Sequence, residues 1–340
     1  MNRILQEDIV DFAKNCALAN DIHNSSFLIT GTTGLIGSTL IHCLMALKQN
    51  IQIIAPVRNI NKANKEIQCY DGITLVECDL ETVDFIQFGH VDYIIHCAAP
   101  TSSKYFVEYP VETYYSICNI SAHILEYARL VGIKSMVYLS SLEVYGQILD
   151  DLKPVTEDAQ GYLDLMDVRS SYPMAKRTVE NLCCLYASEY KVPIKVARLT
   201  QTTGAGCSLD DNRIIAQFAR LAVQGEDIVL RTTGESSRPY CYTTDAVSAL
   251  LYILLKGKNG EAYNVANEQT YISAKNMAYF VKKHINPSIS IKFYVDNNCG
   301  YAPVTKQKLS TNKLESLGWK PYYSLESIFK RLSLYFNTLK

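Results

Sequence analysis

The chain has 340 residues, 48% hydrophobic and 20% charged, with a formal net charge of −1 at pH 7. A chain so close to neutral offers no basic footprint for nucleic acid or an anionic membrane surface, and no apolar run approaches the roughly 18 residues that span a bilayer. Its eleven cysteines follow no C-x-x-C spacing, and Glu7, Asp8 and Asp11 stand where a secretory leader is basic or apolar. The expectation is a cytoplasmic protein with reduced thiols, no disulfide framework and no metal site.

Residues 3–20 set Ile4, Leu5, Ile9, Phe12, Ala13 and Cys16 on one side of an amphipathic helix, a helical extension over residues 1–24 ahead of the core. Residues 27–30 read as a buried strand, 36–48 as a helix, and 51–55 and 74–77 as the next two strands. A fourth strand covers 91–97, one or two helices lie within 105–131, and a fifth strand covers 134–139. A helix over 171–190 precedes a sixth strand at 194–199. This alternation predicts an α/β fold, a doubly wound parallel sheet of the Rossmann type over residues 25–200. Beyond Thr200 the rhythm breaks. Residues 201–340 are expected to form a smaller, mainly C-terminal α/β substrate lobe with some return to the first domain.

The sharpest local signal in the first half is Thr30-Gly31-Thr32-Thr33-Gly34-Leu35-Ile36-Gly37. After an apolar strand and at the opening of a helix, such a glycine string marks a dinucleotide site. Gly31 permits the tight turn, and Gly34 lets the backbone around Thr33, Leu35 and Ile36 approach a pyrophosphate. Gly37 allows close packing, with the helix N-terminus facing the phosphates. The second strand ends in Ala55-Pro56-Val57-Arg58-Asn59, without the acid that holds a ribose 2′-hydroxyl. Arg58 therefore leans weakly towards NADP over NAD, unless it is a plain surface arginine. Asp79 either holds the adenine amino group or caps a helix.

Ser170-Ser171-Tyr172-Pro173-Met174-Ala175-Lys176 adds chemistry. A tyrosine four residues before a lysine shares its helix face. The ammonium is expected to lower the phenol's pKa and make it a usable base. Downstream of a dinucleotide site, that pair implies hydride transfer at a carbinol carbon.

Other stretches fall in a telling order: His96-Cys97-Ala98-Ala99, Ser140-Ser141-Leu142-Glu143-Val144-Tyr145-Gly146, and Arg198-Leu199-Thr200. Then come Arg238-Pro239-Tyr240-Cys241-Tyr242 with Asp245, Tyr263-Asn264-Val265 and Leu317-Gly318-Trp319. With the glycine turn and the Tyr172/Lys176 pair, they resemble the extended short-chain dehydrogenase/reductases of the nucleotide-sugar epimerase, dehydratase and decarboxylase group. The resemblance runs from about residue 25 to about residue 325. It implies a tightly bound, recycled NAD or NADP, which Leu80, Ala98 and Ala99 also touch, and a nucleotide sugar held between the two domains of a homodimer. By the same resemblance Ser141 aligns the sugar 4-hydroxyl, Tyr172 takes its proton, Lys176 bonds the nicotinamide ribose, and Asn119 organises the active-site helix.

Glu143 discriminates within the group. Decarboxylases acting on UDP-glucuronate and sugar-nucleotide 4,6-dehydratases carry a glutamate here, where simple 4-epimerases often do not. The dTDP-glucose dehydratases precede it with an aspartate, and this chain has Leu142. Arg169-Ser170-Ser171-Tyr172 also resembles the decarboxylase stretch. Arg238 is the expected ligand of the nucleotide's phosphates, with Arg213 assisting and Arg169 or Arg198 reaching the substrate or the domain seam, unless these form ordinary salt bridges. Lys306 stands where relatives often have arginine. The expected activity is a lyase acting through a 4-keto sugar, by decarboxylation or 4,6-dehydration. A 4-epimerase, a net reductase and a non-catalytic NAD(P)-sensing regulator remain as alternatives.

Overall fold

The structure, a computed structural model, describes residues 1–67, 70–295 and 304–339. Asn2 starts the first helix, α1 (Arg3–Asn15), by accepting a hydrogen bond from the Ile4 amide. The helix ends at Asn15 rather than residue 20: Cys16 turns extended, and a 3-10 turn over Ala19–Ile22 leads into the sheet.

Strands and helices then alternate as β1 (Ser26–Thr30), α2 (Leu35–Ala46), β2 (Gln52–Val57), α3 (Ile60–Glu66), β3 (Ile73–Glu77) and β4 (Tyr93–His96). The alternation continues with α4 (Ser103–Glu108), α5 (Pro110–Val131), β5 (Ser135–Ser141), α6 (Ser171–Glu189) and β6 (Ile194–Leu199). The sequence reading missed α3, whose Ile-Asn-Lys-Ala run has no apolar period; the Asn59 side chain caps it. The stretch expected to hold one or two helices holds two, divided at Pro110, which can open a helix but not continue one.

The second half forms β7 (Gln201–Thr203), α7 (Ile214–Gln224), β8 (Ile228–Leu230), β9 (Ser237–Tyr242), α8 (Thr243–Lys256) and β10 (Ala262–Val265). It closes with β11 (Asn267–Ser273), α9 (Ala274–His284), β12 (Ile291–Phe293), α10 (Asn312–Glu315) and α11 (Leu325–Asn337). Among the described residues, seven strands build the main sheet in the order β10-β6-β5-β4-β1-β2-β3, with every pairing parallel. Alternate residues feed its two faces. Phe27, Ile29 and Val137 pack with α2 and α8, whereas Leu28, Ile94 and Met136 pack with α5 and α6. Strands buried on both faces read as apolar runs, which is why the sequence betrays them. A smaller sheet, β11-β9-β7, and the pair β12-β8 sit with α7, α9 and α11 around a third apolar cluster. Strand order reverses between β1 and β4, and there the strand ends open the crevice where such folds bind ligands. Among the described residues no helix is long and apolar enough to cross a membrane, no cluster could hold a metal, and the nine cysteines are free thiols.

Candidate active site

β1 delivers the chain to Gly31, whose φ is +69°. A Cβ there would lie 2.7 Å from the Ala98 nitrogen, so the turn after β1 runs hard against the end of β4. A Cβ on Gly37 would strike the Gly31 carbonyl oxygen. The Gly34 amide donates to that same oxygen at 3.1 Å, and α2 then opens with no side chain capping it. Its first amides are left without intrahelical partners. Gly34 is exposed there, flanked by half-buried Thr33, Leu35 and Ile36, and the buried Thr32 hydroxyl in the same turn has no partner. A cradle that side chains would fill, an uncapped helix start and an orphaned hydroxyl together fit a dinucleotide's pyrophosphate.

The neighbouring strand end is held by a relay of hydrogen bonds. The Ala98 amide donates to Thr30 Oγ1, which lies 2.7 Å from His96 Nδ1; His96 Nε2 lies 3.1 Å from Ser121 Oγ, which donates to the Ile117 carbonyl. With the Ser121 proton committed, the imidazole carries its proton on Nε2 and accepts at Nδ1. Burial, helped by the Lys176 charge, lowers its pKa to about 3, so His96 is a neutral strut. Ala98 and Ala99 are thereby fixed beside the glycine turn. Arg58 lies exposed past β2, and its side chain makes no hydrogen bond or ion pair among the described residues. Asp79 accepts from the Glu81 amide at 3.0 Å and so caps a turn, while Leu80 is buried.

Ser141 closes β5, and its Oγ accepts from the Glu143 amide at 3.2 Å, starting a 3-10 turn over Leu142–Tyr145. That turn brings Glu143 to 3.9 Å from Arg169. Tyr172, at the start of α6, is 7% exposed and lies flat on Phe106, with ring centroids 4.2 Å apart and planes 8° apart. One helical turn on, Lys176 Nζ donates to the Leu139 carbonyl at 2.7 Å and stands 5.7 Å from the Tyr172 ring. Burial pushes the phenol well above its ordinary pKa; Glu143's charge adds to this, and a hydrogen bond with Ser141 opposes it. Burial also draws Lys176 down to about 8. The expected lowering of the phenol by the ammonium is therefore not met in this state. A ligand that accepts hydrogen bonds from the ammonium shifts that balance.

Two of the expected substrate contacts are engaged by the protein itself in this structure. Arg198 is enclosed by the protein: Nε lies 3.1 Å from both Glu180 oxygens, Nη2 is 2.7 Å from Glu180, and Nη1 donates to Tyr145 and the Glu157 carbonyl. Arg213 is bound to Asp211, two residues earlier, and to the Thr202 carbonyl. Arg238, on β9, is half-buried, with no hydrogen bond or ion pair through its side chain among the described residues. Phe106 and Arg177 escaped the sequence reading. Arg177 closes the loop after the Leu142–Tyr145 turn by donating to the Val144 and Gly161 carbonyls. Both contacts link segments far apart in the chain, so no local pattern announces them.

A family model described as "NAD dependent epimerase/dehydratase family" matches residues 27–266. UDP-glucuronic acid decarboxylase 6 of Arabidopsis thaliana is 31% identical over 303 residues, covering 89% of this chain and 86% of its own. The UDP-glucose 4-epimerase of Thermotoga maritima, solved with UDP-glucose, superposes with a TM-score of 0.80 at 22% identity, over 93% of this chain and 100% of that one. The UDP-glucuronic acid 4-epimerase of Bacillus cereus, solved with UDP-glucuronic acid and NAD, gives a TM-score of 0.78 at 19% identity, over 93% and 100%. At those identities the solved structures speak for the fold alone. The family model and the Arabidopsis relative go further, and on their extent the chain belongs to the NAD dependent epimerase/dehydratase family.

Proposed function

We propose that this chain is a nucleotide-sugar lyase that works through a transient 4-ketone, by UDP-glucuronate-type decarboxylation or 4,6-dehydration. The observation that carries the reading is the meeting of Ser141, Glu143 and Tyr172 at the C-terminal edge of the sheet, with Lys176 behind the phenol. Ser141 holds the sugar 4-hydroxyl, and Tyr172 removes its proton. A bound nicotinamide dinucleotide supplies the hydride chemistry at C4, oxidation first and reduction later in the same turnover. Ribose hydroxyls accepting from Lys176 keep its ammonium charged, which eases ionisation of Tyr172.

Once C4 is a ketone, electrons released at C5 delocalise into the carbonyl, and Glu143 is placed to act there. A uronate needs little more. The C5–C6 bonding pair enters the ketone as an enolate, carbon dioxide departs, and a proton returns to C5. Expelling a C6 hydroxyl as water instead calls for an acid. The position that dTDP-glucose dehydratases fill with aspartate holds Leu142, buried against Val144, Val155 and Leu309. Together with the Arabidopsis relative, this favours decarboxylation.

Arg238, whose side chain makes no hydrogen bond or ion pair among the described residues, is assigned to the diphosphate, with Lys306 beside it through the bridge to Ser237. Arg58, also without a side-chain hydrogen bond or ion pair among the described residues, favours NADP over NAD. The exposed Val111, Tyr115 and Leu185 on α5 and α6 support a homodimer. The Glu143–Arg169 contact supports a second reading, a 4-epimerase in which Glu143 is only structural.

Mass spectrometry of products from UDP-, dTDP-, CDP- and GDP-sugars separates these outcomes as loss of carbon dioxide, loss of water or unchanged mass. Tyr172→Phe abolishes every activity, whereas Glu143→Gln spares C4 oxidation and blocks the later step. Normal turnover of the glutamine variant would hand the case to the epimerase.

A further inference from the structure

The arginines around the site divide into those the protein holds and those it leaves free. Arg177 is taken up by two backbone carbonyls, Arg198 by Glu180 and Arg213 by Asp211. Arg169 differs. Its backbone amide is fixed to Asp167 at 2.9 Å, in the 3-10 turn over Val168–Ser170 that leads into α6. Its guanidinium has one partner among the described residues, Glu143, at 3.9 Å. That separation gives charge pairing without a hydrogen bond, so the planar fork of donors stays available. The side chains of Arg169 and Glu143 are 28% and 30% exposed, so both are accessible to a ligand.

We propose that Arg169 is the residue by which the site selects a hexuronate, docking the C6 carboxylate of the sugar in a bridge shared with Glu143. The inference rests on the 4-keto reading above and deepens it by naming the substrate class. Glu143 alone beside C5 would repel a second carboxylate. A guanidinium can bond two carboxylates at once, and Arg169, three residues before Tyr172, is positioned at the same end of α6 as the base. A neutral hexose gains nothing from this fork. Loss of carbon dioxide removes the anion that the guanidinium was holding, which favours release of the product. Arg238 serves the other end of the ligand, the diphosphate, where it reads no feature of the sugar.

Calorimetric titration of the purified holoenzyme with UDP-glucuronate, UDP-glucose and UDP tests this without requiring turnover. The wild type is expected to bind UDP-glucuronate more tightly than UDP-glucose, and Arg169→Met to erase that preference. The variant weakens UDP-glucuronate by roughly 10- to 100-fold, the range for a charged hydrogen-bonded contact, while its affinity for UDP-glucose stays within about twofold. Arg169→Lys restores part of the preference. Adding Glu143→Gln to Arg169→Met recovers some uronate affinity by removing the repulsion. Arg238→Met weakens all three ligands alike. The proposal is overturned if Arg169→Met weakens both sugars equally or neither, or if the wild type shows no uronate preference. A wild type that prefers UDP-glucuronate yet releases no carbon dioxide and forms no 4-ketone would sink the catalytic reading and leave Arg169's role standing.

Discussion

Replacing Arg198 with methionine distinguishes a substrate ligand from a structural strut. Its guanidinium meets Glu180 through three contacts of 2.7 to 3.1 Å, and the two side chains are 14% and 11% exposed. Removing one member of so enclosed a pair leaves the other charged and buried, at a cost of about 3 to 5 kcal/mol. The damage also spreads. Arg198 donates to Tyr145, whose hydroxyl donates to Asn264 at 2.6 Å, and Tyr145 closes the turn that carries Glu143. At about 2 to 4 °C per kcal/mol, Tm falls by roughly 6 to 20 °C, towards the lower end for a chain this long. Adding Glu180→Leu removes the stranded carboxylate and returns much of the loss, because an apolar pair of similar volume is close to neutral there. Thermal melts of the two single variants and the double variant measure this, alongside KM for the nucleotide sugar. An Arg198→Met protein that melts with the wild type but shows KM raised tenfold or more would refute the structural assignment and return Arg198 to the substrate.

With Lys176 drawn down to about 8, affinity of the cofactor-stripped protein for NAD is expected to weaken as pH rises through that value, while Lys176→Arg keeps its charge and shows no such inflection; isothermal titration from about pH 7 to about pH 9.5 measures it, and a flat wild-type profile contradicts it. Lys195 is buried with Ser135 and Pro193 as partners and, among the described residues, no carboxylate, and burial lowers it to about 8. Between about 8 and 10.5 the unfolded chain holds a proton that the folded one lacks, so wild-type stability climbs with pH across that window. Lys195→Met should therefore be more stable below pH 8 by on the order of 3 kcal/mol, with the gap closing towards pH 10.5 in urea melts. Phe106→Leu keeps an apolar side chain but removes the flat support beneath Tyr172, and losing about 1 kcal/mol of stacking lowers kcat about fivefold with KM little changed; a rise in KM alone would place Phe106 against the sugar instead.

How much could be read from residues alone follows from how local each interaction is. β1, β4 and β5 were legible because a strand buried on both faces is an uninterrupted apolar run. The glycine turn was legible because a steric demand at one backbone position leaves one residue type. Tyr172 and Lys176 sit one helical turn apart, so spacing alone put them on one face. Arg198 stayed open because a basic residue in a strand looks the same whether it awaits a phosphate or faces Glu180 across a helix–sheet contact. Burial likewise decided the Tyr172 pKa, and desolvation has no signature in a tyrosine–lysine spacing. β10 joins the main sheet next to β6 from more than sixty residues downstream, a pairing that no stretch of local pattern contains.

The helix α1 shows the same limit from the other side. It precedes the region matched by the family model, yet it carries Asp8, an acid even more deeply buried than Asp245. Asp8 accepts from Tyr242 at 2.6 Å and from Tyr323 at 3.4 Å, and it pairs with Arg331 of α11. Burial raises its pKa to about 6, and the phenols and the arginine pull the other way without winning. Asp245, also raised to about 6 by burial, accepts the Tyr322 and Tyr323 amides at 3.0 Å. An apolar seam of this size would tolerate many relative placements of α1, α8 and the C-terminal helix, because hydrophobic contact has no direction. Two costly acids with directional donors tolerate few. Leu5 of α1 lies near Gly206, as does Leu35 at the first turn of α2, so the placement fixed by Asp8 extends to the helix whose N-terminus is open for phosphate. The acids add little net stability. What they supply is directional contact, tying α1 to Tyr242, Tyr323 and Arg331 and the start of α8 to the segment before α11.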